Sequence, residues 1–141
     1  MIIIHINIRG LKANLDELKA LINFYDADII AINEQLVKAG EEMRERIQGF
    51  VCCECADIEG KVKVLLYVKA SISFEVTKRY GGQSTASYIQ IRLKYRRKFL
   101  RITAMYNPPG NWLSVGLLEE LCTEQSIVIG DLNAKSVDLG C

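Results

Sequence analysis

The chain has 141 residues, half of them apolar and a quarter charged, with a formal net charge of +1. That size and mix fit one globular domain with a core of its own, and no apolar run reaches the length of a membrane span. A near-zero net charge excludes a globally basic polyanion binder, so any contact with nucleic acid has to come from local patches. The five cysteines, at 52, 53, 55, 122 and 141, follow no zinc spacing and have no histidine near them. They are read as reduced thiols, which implies an intracellular chain, nuclear or cytoplasmic.

The opening Met1–His5 has none of the basic region, long apolar stretch or cleavage site of a signal peptide. Residues 2–7 are expected to form the first strand. A helix follows, with Asn14 as N-cap, Glu17 three residues on, and an apolar stripe of Leu15, Leu18, Leu21, Ile22 and Tyr25. Ile29-Ile30-Ala31-Ile32 is a continuous apolar run, the pattern of a strand buried on both faces. A short polar helix is expected around 41–47, turning Met43 and Ile47 inward, and a third strand over about 50–55.

The period then changes to two. Val62, Val64, Leu66 and Val68 share one strand face, as do Ile72, Phe74 and Val76. Ile89, Ile91 and Leu93 alternate with Tyr88, Gln90 and Arg92, and Leu100, Ile102 and Ala104 with Arg101 and Thr103. Turns at Gly60, Ala70-Ser71, Gly81-Gly82 and Arg96-Arg97 make these strands an antiparallel meander. Pro108-Pro109-Gly110 ends it. Asn111 or Ser114 caps a helix bearing Leu117, Leu118 and Leu121, and a last strand over 126–129 follows. The expected fold is α/β (α+β): a mixed, largely antiparallel β-sheet with helices on one face.

Polar residues gather at the C-terminal ends of four strands: Asn7, Glu34, Tyr106, and Asp131 with Asn133. In open sheets, sites form outside such ends. Ile127-Val128-Ile129 breaking into Gly130-Asp131-Leu132-Asn133 puts a carboxylate and a carboxamide on one side of a strand end. That suits a divalent metal or an attacking water beside a phosphate. Gly-Asp-x-Asn also forms ordinary turns, and each residue taken singly could satisfy loop backbone. Two basic patches frame this site. Arg96 and Arg97 fall at the hairpin before the strand that ends in Tyr106. Nine residues of strand put that hairpin about 30 Å away, as a solvated turn. The expected loop Lys78-Arg79-Tyr80-Gly81-Gly82-Gln83-Ser84 falls near Tyr106, where its cations and ring could grip a phosphate backbone; a plain flexible hairpin is the equal alternative.

The chain resembles the endonuclease/exonuclease/phosphatase superfamily. Within it the chain is most similar to the apurinic-type endonuclease domains of non-LTR retrotransposons. The resemblance is carried, in order, by Asn7-Ile8-Arg9-Gly10-Leu11, Asp28-Ile29-Ile30-Ala31-Ile32-Asn33-Glu34, Met105-Tyr106-Asn107-Pro108-Pro109 and Ile129-Gly130-Asp131-Leu132-Asn133-Ala134-Lys135. It implies a DNase I-like four-layer αββα sandwich that nicks DNA hydrolytically and leaves a 3′-hydroxyl to prime reverse transcription. It implies Glu34 as the ligand of Mg2+, with Mn2+ as a substitute, and Asn7 as steadying that metal or the phosphate. Tyr106 would hydrogen-bond the scissile phosphate, Asp131 would orient or deprotonate water, and Asn133 would hold a phosphate oxygen. Arg9, Lys78, Arg79 and Tyr80 would contact nucleic acid.

The chain departs from the family pattern in three ways. Asn33 stands where Gln is usual, and Arg9 where Asp or Asn is common, which argues against a second metal. The chain also stops soon after Gly-Asp-x-Asn, before the late aspartate and terminal Ser-Asp-His that the resemblance implies. His5, the sole histidine, lies within the first strand and is read as structural. The expectation is therefore a single domain over 1–141, incomplete at its C-terminus and weak or inactive alone. A sheet face left open is expected to pair with itself, with the missing C-terminal half or with a reverse transcriptase segment. The alternative readings are a non-catalytic remnant or interaction module of the same fold, and a phosphatase-type member.

Overall fold

The computed structural model describes residues 1–34 and 47–133, with Glu34 described by its backbone alone. In chain order the elements are β1 (Ile3–Ile8), α1 (Leu15–Tyr25), β2 (Ile29–Glu34), β3 (Phe50–Ala56), β4 (Val62–Lys69), β5 (Phe74–Tyr80), β6 (Ser87–Tyr95), β7 (Lys98–Tyr106), α2 (Val115–Leu121) and β8 (Ser126–Asp131). The short helix expected around 41–47 lies outside the described residues except for Ile47, which is buried.

The strands divide into two four-stranded sheets, ordered β1-β2-β4-β3 and β5-β6-β7-β8. The sequence reading had run them together as one sheet. Period-two patterning reports which face of a strand is apolar, but not which sheet the strand joins. The break falls in the turn after β4, where the chain crosses to start β5. Alternation then builds the interior. Ile29, Ala31, Val64, Leu66 and Val68 of the first sheet pack against Ile89, Ile91, Leu93, Ile102 and Ala104 of the second. The apolar face expected to stand open is thus covered by the second sheet, which removes the basis given for self-association.

Among the described residues each sheet carries one helix on its outer face. Leu18 and Ile22 of α1 pack with Ile30, Ile32, Leu65 and Tyr67. Leu121 of α2 packs with Met105 and Ala86, and Leu117 and Tyr88 lean on the same cluster. The four layers αββα are therefore all present. Tyr25, expected in the apolar stripe, is exposed at the helix end.

Each helix also bridges a parallel pair, β1 with β2 and β7 with β8. A parallel pair brings both C-terminal ends to one side. Asn7 accordingly lies level with Asn33, and Tyr106 with Asp131. β1 and β8 are edge strands among the described residues and are only partly buried, so the apolar run Ile127–Ile129 is half-buried rather than buried on both faces. The β6–β7 hairpin turns at Arg96-Arg97, at the opposite end from Tyr106 as its length requires.

The polar ends of the sheets are tied by specific groups. Ser114 caps α2, its hydroxyl accepting the Leu117 N–H at 3.1 Å. Asn14 makes no cap bond on α1. Its amide instead donates back to the carbonyls of Arg9 and Gly10, at 3.2 and 3.0 Å, closing the β1–α1 loop. Buried Asp57 accepts the Glu59 and Lys61 N–H groups, each at 2.9 Å, and pairs with Lys63 at 3.3 Å. Burial pushes its carboxyl up, but the Lys61 N–H, Lys63 and the Glu59 N–H together hold it below the usual value. A carboxyl depressed on folding adds stability above its unfolded value, and that stability is lost as pH falls through the folded value. In urea titrations from about pH 6 down to 2.5, Asp57→Asn is expected to lower stability at neutral pH and to shallow the acid decline. An acid decline as steep as in the wild type would show that Asp57 contributes none of it.

Candidate functional site

The site grows from the inner faces of β1 and β2. Alternation that sends Ile4, Ile6 and Ile8 outward to α1 turns Ile3, His5 and Asn7 inward. On β2 the same rule turns Ile29, Ala31 and Asn33 inward. The second sheet brings the ends of β7 and β8 over this corner.

Asn33 joins the two sheets and is only 1% exposed. Its Nδ2 donates to the Met105 carbonyl on β7 at 3.1 Å. Its Oδ1 accepts the Asp131 N–H at 3.4 Å and lies 2.6 Å from His5 Nε2, which donates to it. The side chain thus holds β1, β7 and β8 from β2. β8 can lie this close to β7 because residue 130 is glycine. Its φ is 147°, and a Cβ there would collide with the Met105 carbonyl.

Asp131 is fixed at both carboxylate oxygens. Asn7 Nδ2 donates to Oδ2 at 3.2 Å across 124 residues of sequence, and the Asn133 N–H donates to Oδ1 at 3.2 Å. Asn133 in turn donates from Nδ2 to the Asn107 carbonyl at 2.6 Å. Asn107 is 1% exposed and pins the loop beyond Tyr106. It donates to the carbonyls of Asn111 and Leu132 at 2.9 and 3.0 Å, and accepts from Asn111 Nδ2 at 2.7 Å. Next to this network is a cavity of about 330 Å³ lined by Asn107, Asn111, Trp112, Leu132 and Asn133, among others.

Asn7, Asp131 and Asn133 therefore stand together. Tyr106 is level with Asp131 but is 9% exposed and belongs to the inter-sheet core, with Lys63 Nζ 6.0 Å from its ring. Glu34 ends β2 opposite Ile8; its side chain lies outside the described residues, as do Ala134 and Lys135. Exposed Arg9 shares an open cleft of about 440 Å³ with Asn7, Asn14 and Glu17.

Lys78, Arg79 and Tyr80 correct the sequence reading. They are the last residues of the edge strand β5 rather than a loop, paired with Gln90, Ile89 and Tyr88. Polar side chains are what the exposed face of an edge strand carries. Lys78 is ion-paired with Glu120 of α2, and the Tyr80 ring lies 5.8 Å from that of Tyr88. Cys52, Cys53 and Cys55 lie in β3, and burial pushes the Cys53 and Cys55 thiols up.

Sequence reasoning missed two residues. Asn33 was noted only as a departure from Gln, although its inward parity with Ala31 was legible. Asn107 was passed over beside Tyr106. A buried asparagine just before Pro-Pro is a signal for loop backbone bonding.

Fold and corner together define an αββα sandwich whose two parallel strand pairs present an aspartate and asparagines at their joint C-terminal end. No protein-family model matches the chain, and no curated protein matches it in sequence. Solved structures do match. The endonuclease domain of TRAS1, a telomere-specific non-LTR retrotransposon, superposes with a TM-score of 0.67 at 18% identity, over 95% of this chain and 61% of that one. D. rerio TDP2 complexed with a single-strand DNA product matches with a TM-score of 0.61 at 16% identity, over 96% and 62%. An endonuclease/exonuclease/phosphatase family protein from Bacteroides thetaiotaomicron matches with a TM-score of 0.59 at 12% identity, over 93% and 62%. The chain shares the fold of these structures, one of them described as an endonuclease/exonuclease/phosphatase family protein. This chain spans 61% of the length of the TRAS1 domain.

If Asn33 ties the sheets, Asn33→Leu leaves the Met105 carbonyl and Asp131 N–H without that partner at similar volume. Unsatisfied buried groups cost about 1–3 kcal/mol, so thermal melting should fall by several degrees. An unchanged melting temperature would remove Asn33 from its role as the tie.

Proposed function

We propose that this chain carries the catalytic corner of a metal-dependent phosphodiesterase that nicks DNA, in the manner of a retrotransposon endonuclease. The observation that carries the reading is the contact of Asn7 with Asp131. Two residues 124 positions apart, on different sheets, meet where the four strand ends converge. The likeness to TRAS1 and TDP2 structures supports nucleic acid as the substrate class.

The donor set fits a hard divalent cation. Among the described residues no three histidines, cysteines or acids gather at one point, so a site built only from protein charges is not offered there. Magnesium takes one or two carboxylates and keeps several waters. Asp131 supplies a carboxylate. The Asn7 nitrogen is engaged with Asp131, which leaves its oxygen to face a cation. Glu34 is the third ligand in this reading. Bound there, Mg2+ or Mn2+ would offset the charge that develops on the phosphate oxygens.

The chain's own groups supply the rest. Asp131, held at both oxygens, orients the attacking water and accepts its proton. Water oxygen bonds to phosphorus as the bond to O3′ breaks, and the departing O3′ takes a proton from solvent, giving a 3′-hydroxyl and a 5′-phosphate. Asn133 keeps one amide hydrogen for a phosphate oxygen, the other being on Asn107. Tyr106 hydrogen-bonds the scissile phosphate, and Arg9 receives backbone phosphate in the adjoining cleft. Lys78, Arg79 and Tyr80 extend the contact along β5. Phosphomonoester hydrolysis is the second reading, supported by a match to a mannosyl-6-phosphatase at a TM-score of 0.54.

Magnesium should raise the melting temperature of the chain, and Asp131→Asn or Glu34→Gln should abolish the rise. Nicking of supercoiled plasmid with magnesium should be weak and should fall about a hundred- to thousandfold in Asp131→Ala. No thermal response to magnesium, or nicking that survives Asp131→Ala, would overturn the proposal.

A further inference from the structure

The chain's single tryptophan is its most exposed large hydrophobic side chain among the described residues. Trp112 is 91% accessible, although it follows a tightly bonded loop. A single exposed ring needs no explanation by itself, so its surroundings decide what it offers. It packs into none of the three apolar clusters, whereas its neighbour Leu113 leans on the cluster under α2.

Its position is informative. Trp112 borders two concavities at once. On one side it lines the cavity of about 330 Å³ shared with Asn107, Leu132 and Asn133, which begins two residues beyond Asp131. On the other it lines a groove of about 370 Å³ shared with Tyr80, Thr85 and Tyr88. Tyr80 is itself half-exposed, and its ring is set against Tyr88. Three aromatic rings thus mark a path leading away from the catalytic corner over the outer side of the second sheet.

Exposed rings spaced along a groove beside a phosphate-handling site are the chemistry that binds unpaired bases, because every base has a π-face and stacking tolerates sequence. We propose that Trp112 is a stacking platform for a base next to the scissile phosphate, with Tyr80 the following platform, so that the strand leaves the site single-stranded. The occupant is an unstacked nucleic-acid strand. The Asn107 network holds the platform in place, since Asn111 immediately before Trp112 is bonded through both its backbone carbonyl and its amide nitrogen. The inference rests on the phosphodiesterase reading for the nature of the strand, but not on turnover.

The sole tryptophan is its own probe. Excited selectively, its emission should be quenched by a short single-stranded oligodeoxynucleotide in the presence of EDTA. An abasic oligomer of the same length should quench far less. With a labelled oligonucleotide followed by anisotropy, Trp112→Ala should weaken binding about tenfold and Trp112→Phe less than threefold, with Tyr80→Ala between them. Position 112 is exposed, so the two Trp112 variants leave packing untouched. Equal quenching by the abasic oligomer, no quenching by either, or quenching that tracks protein concentration alone as in pairing of two copies would each overturn the proposal. Base-dependent quenching without magnesium-dependent nicking would retain this subsite and reject the catalytic reading. Nicking without quenching would do the reverse.

Discussion

A single amide holds the candidate site together. Asn33 is buried between sheets whose interior contacts are mostly apolar and therefore non-directional. Apolar packing sets the distance between the two sheets but does not fix how far one slides over the other. A directional bond from Nδ2 to the Met105 carbonyl, with Oδ1 receiving both the Asp131 N–H and His5, fixes that slide at the end where the site lies. Being almost fully buried, the group is costly to leave unpaired, so the same bonds that place Asp131 also penalise other registers.

With that corner pinned, the geometry of the candidate site follows from topology. Two βαβ units each deliver a pair of strand ends to one side, and the sandwich lays one pair over the other. Asn7 and Asp131 then need only a 3.2 Å hydrogen bond to complete the convergence. Gly130 permits the approach of β8 to β7, and Asn107 anchors the loop that continues from β7 toward Trp112. In the proposed reading the chemistry falls to the strand ends, and contact with a substrate strand to the loop and edge strand beside them.

Much of this was legible in sequence because burial writes a period. The inward set of β4, β6 and β7 was evident from alternation alone, and the convergence of Asn7, Asp131 and Asn133 from their positions after apolar runs. What escaped has physical reasons. The division into two sheets depends on which strands pair, and Val62–Val68 and Ile89–Leu93 look alike whichever sheet they join. Lys78–Tyr80 looked like a loop because an edge strand's open face is as polar as a turn. Asn14 looked like a cap, yet its amide points back to the loop before the helix. Asn33 was hidden by composition: a polar residue inside an apolar run can be a strand end or a buried tie, and only the partner across the sandwich tells them apart.

The central claim is that Asn7, Glu34 and Asp131 surround one cation site at the joint end of the two sheets. Anomalous diffraction from crystals grown with manganese tests it most directly. The account predicts one peak within about 2.0–2.3 Å of the Glu34 and Asp131 carboxylates, beside the Asn7 amide oxygen. Manganese located elsewhere, or carboxylates of Glu34 and Asp131 too far apart to share it, would contradict the account.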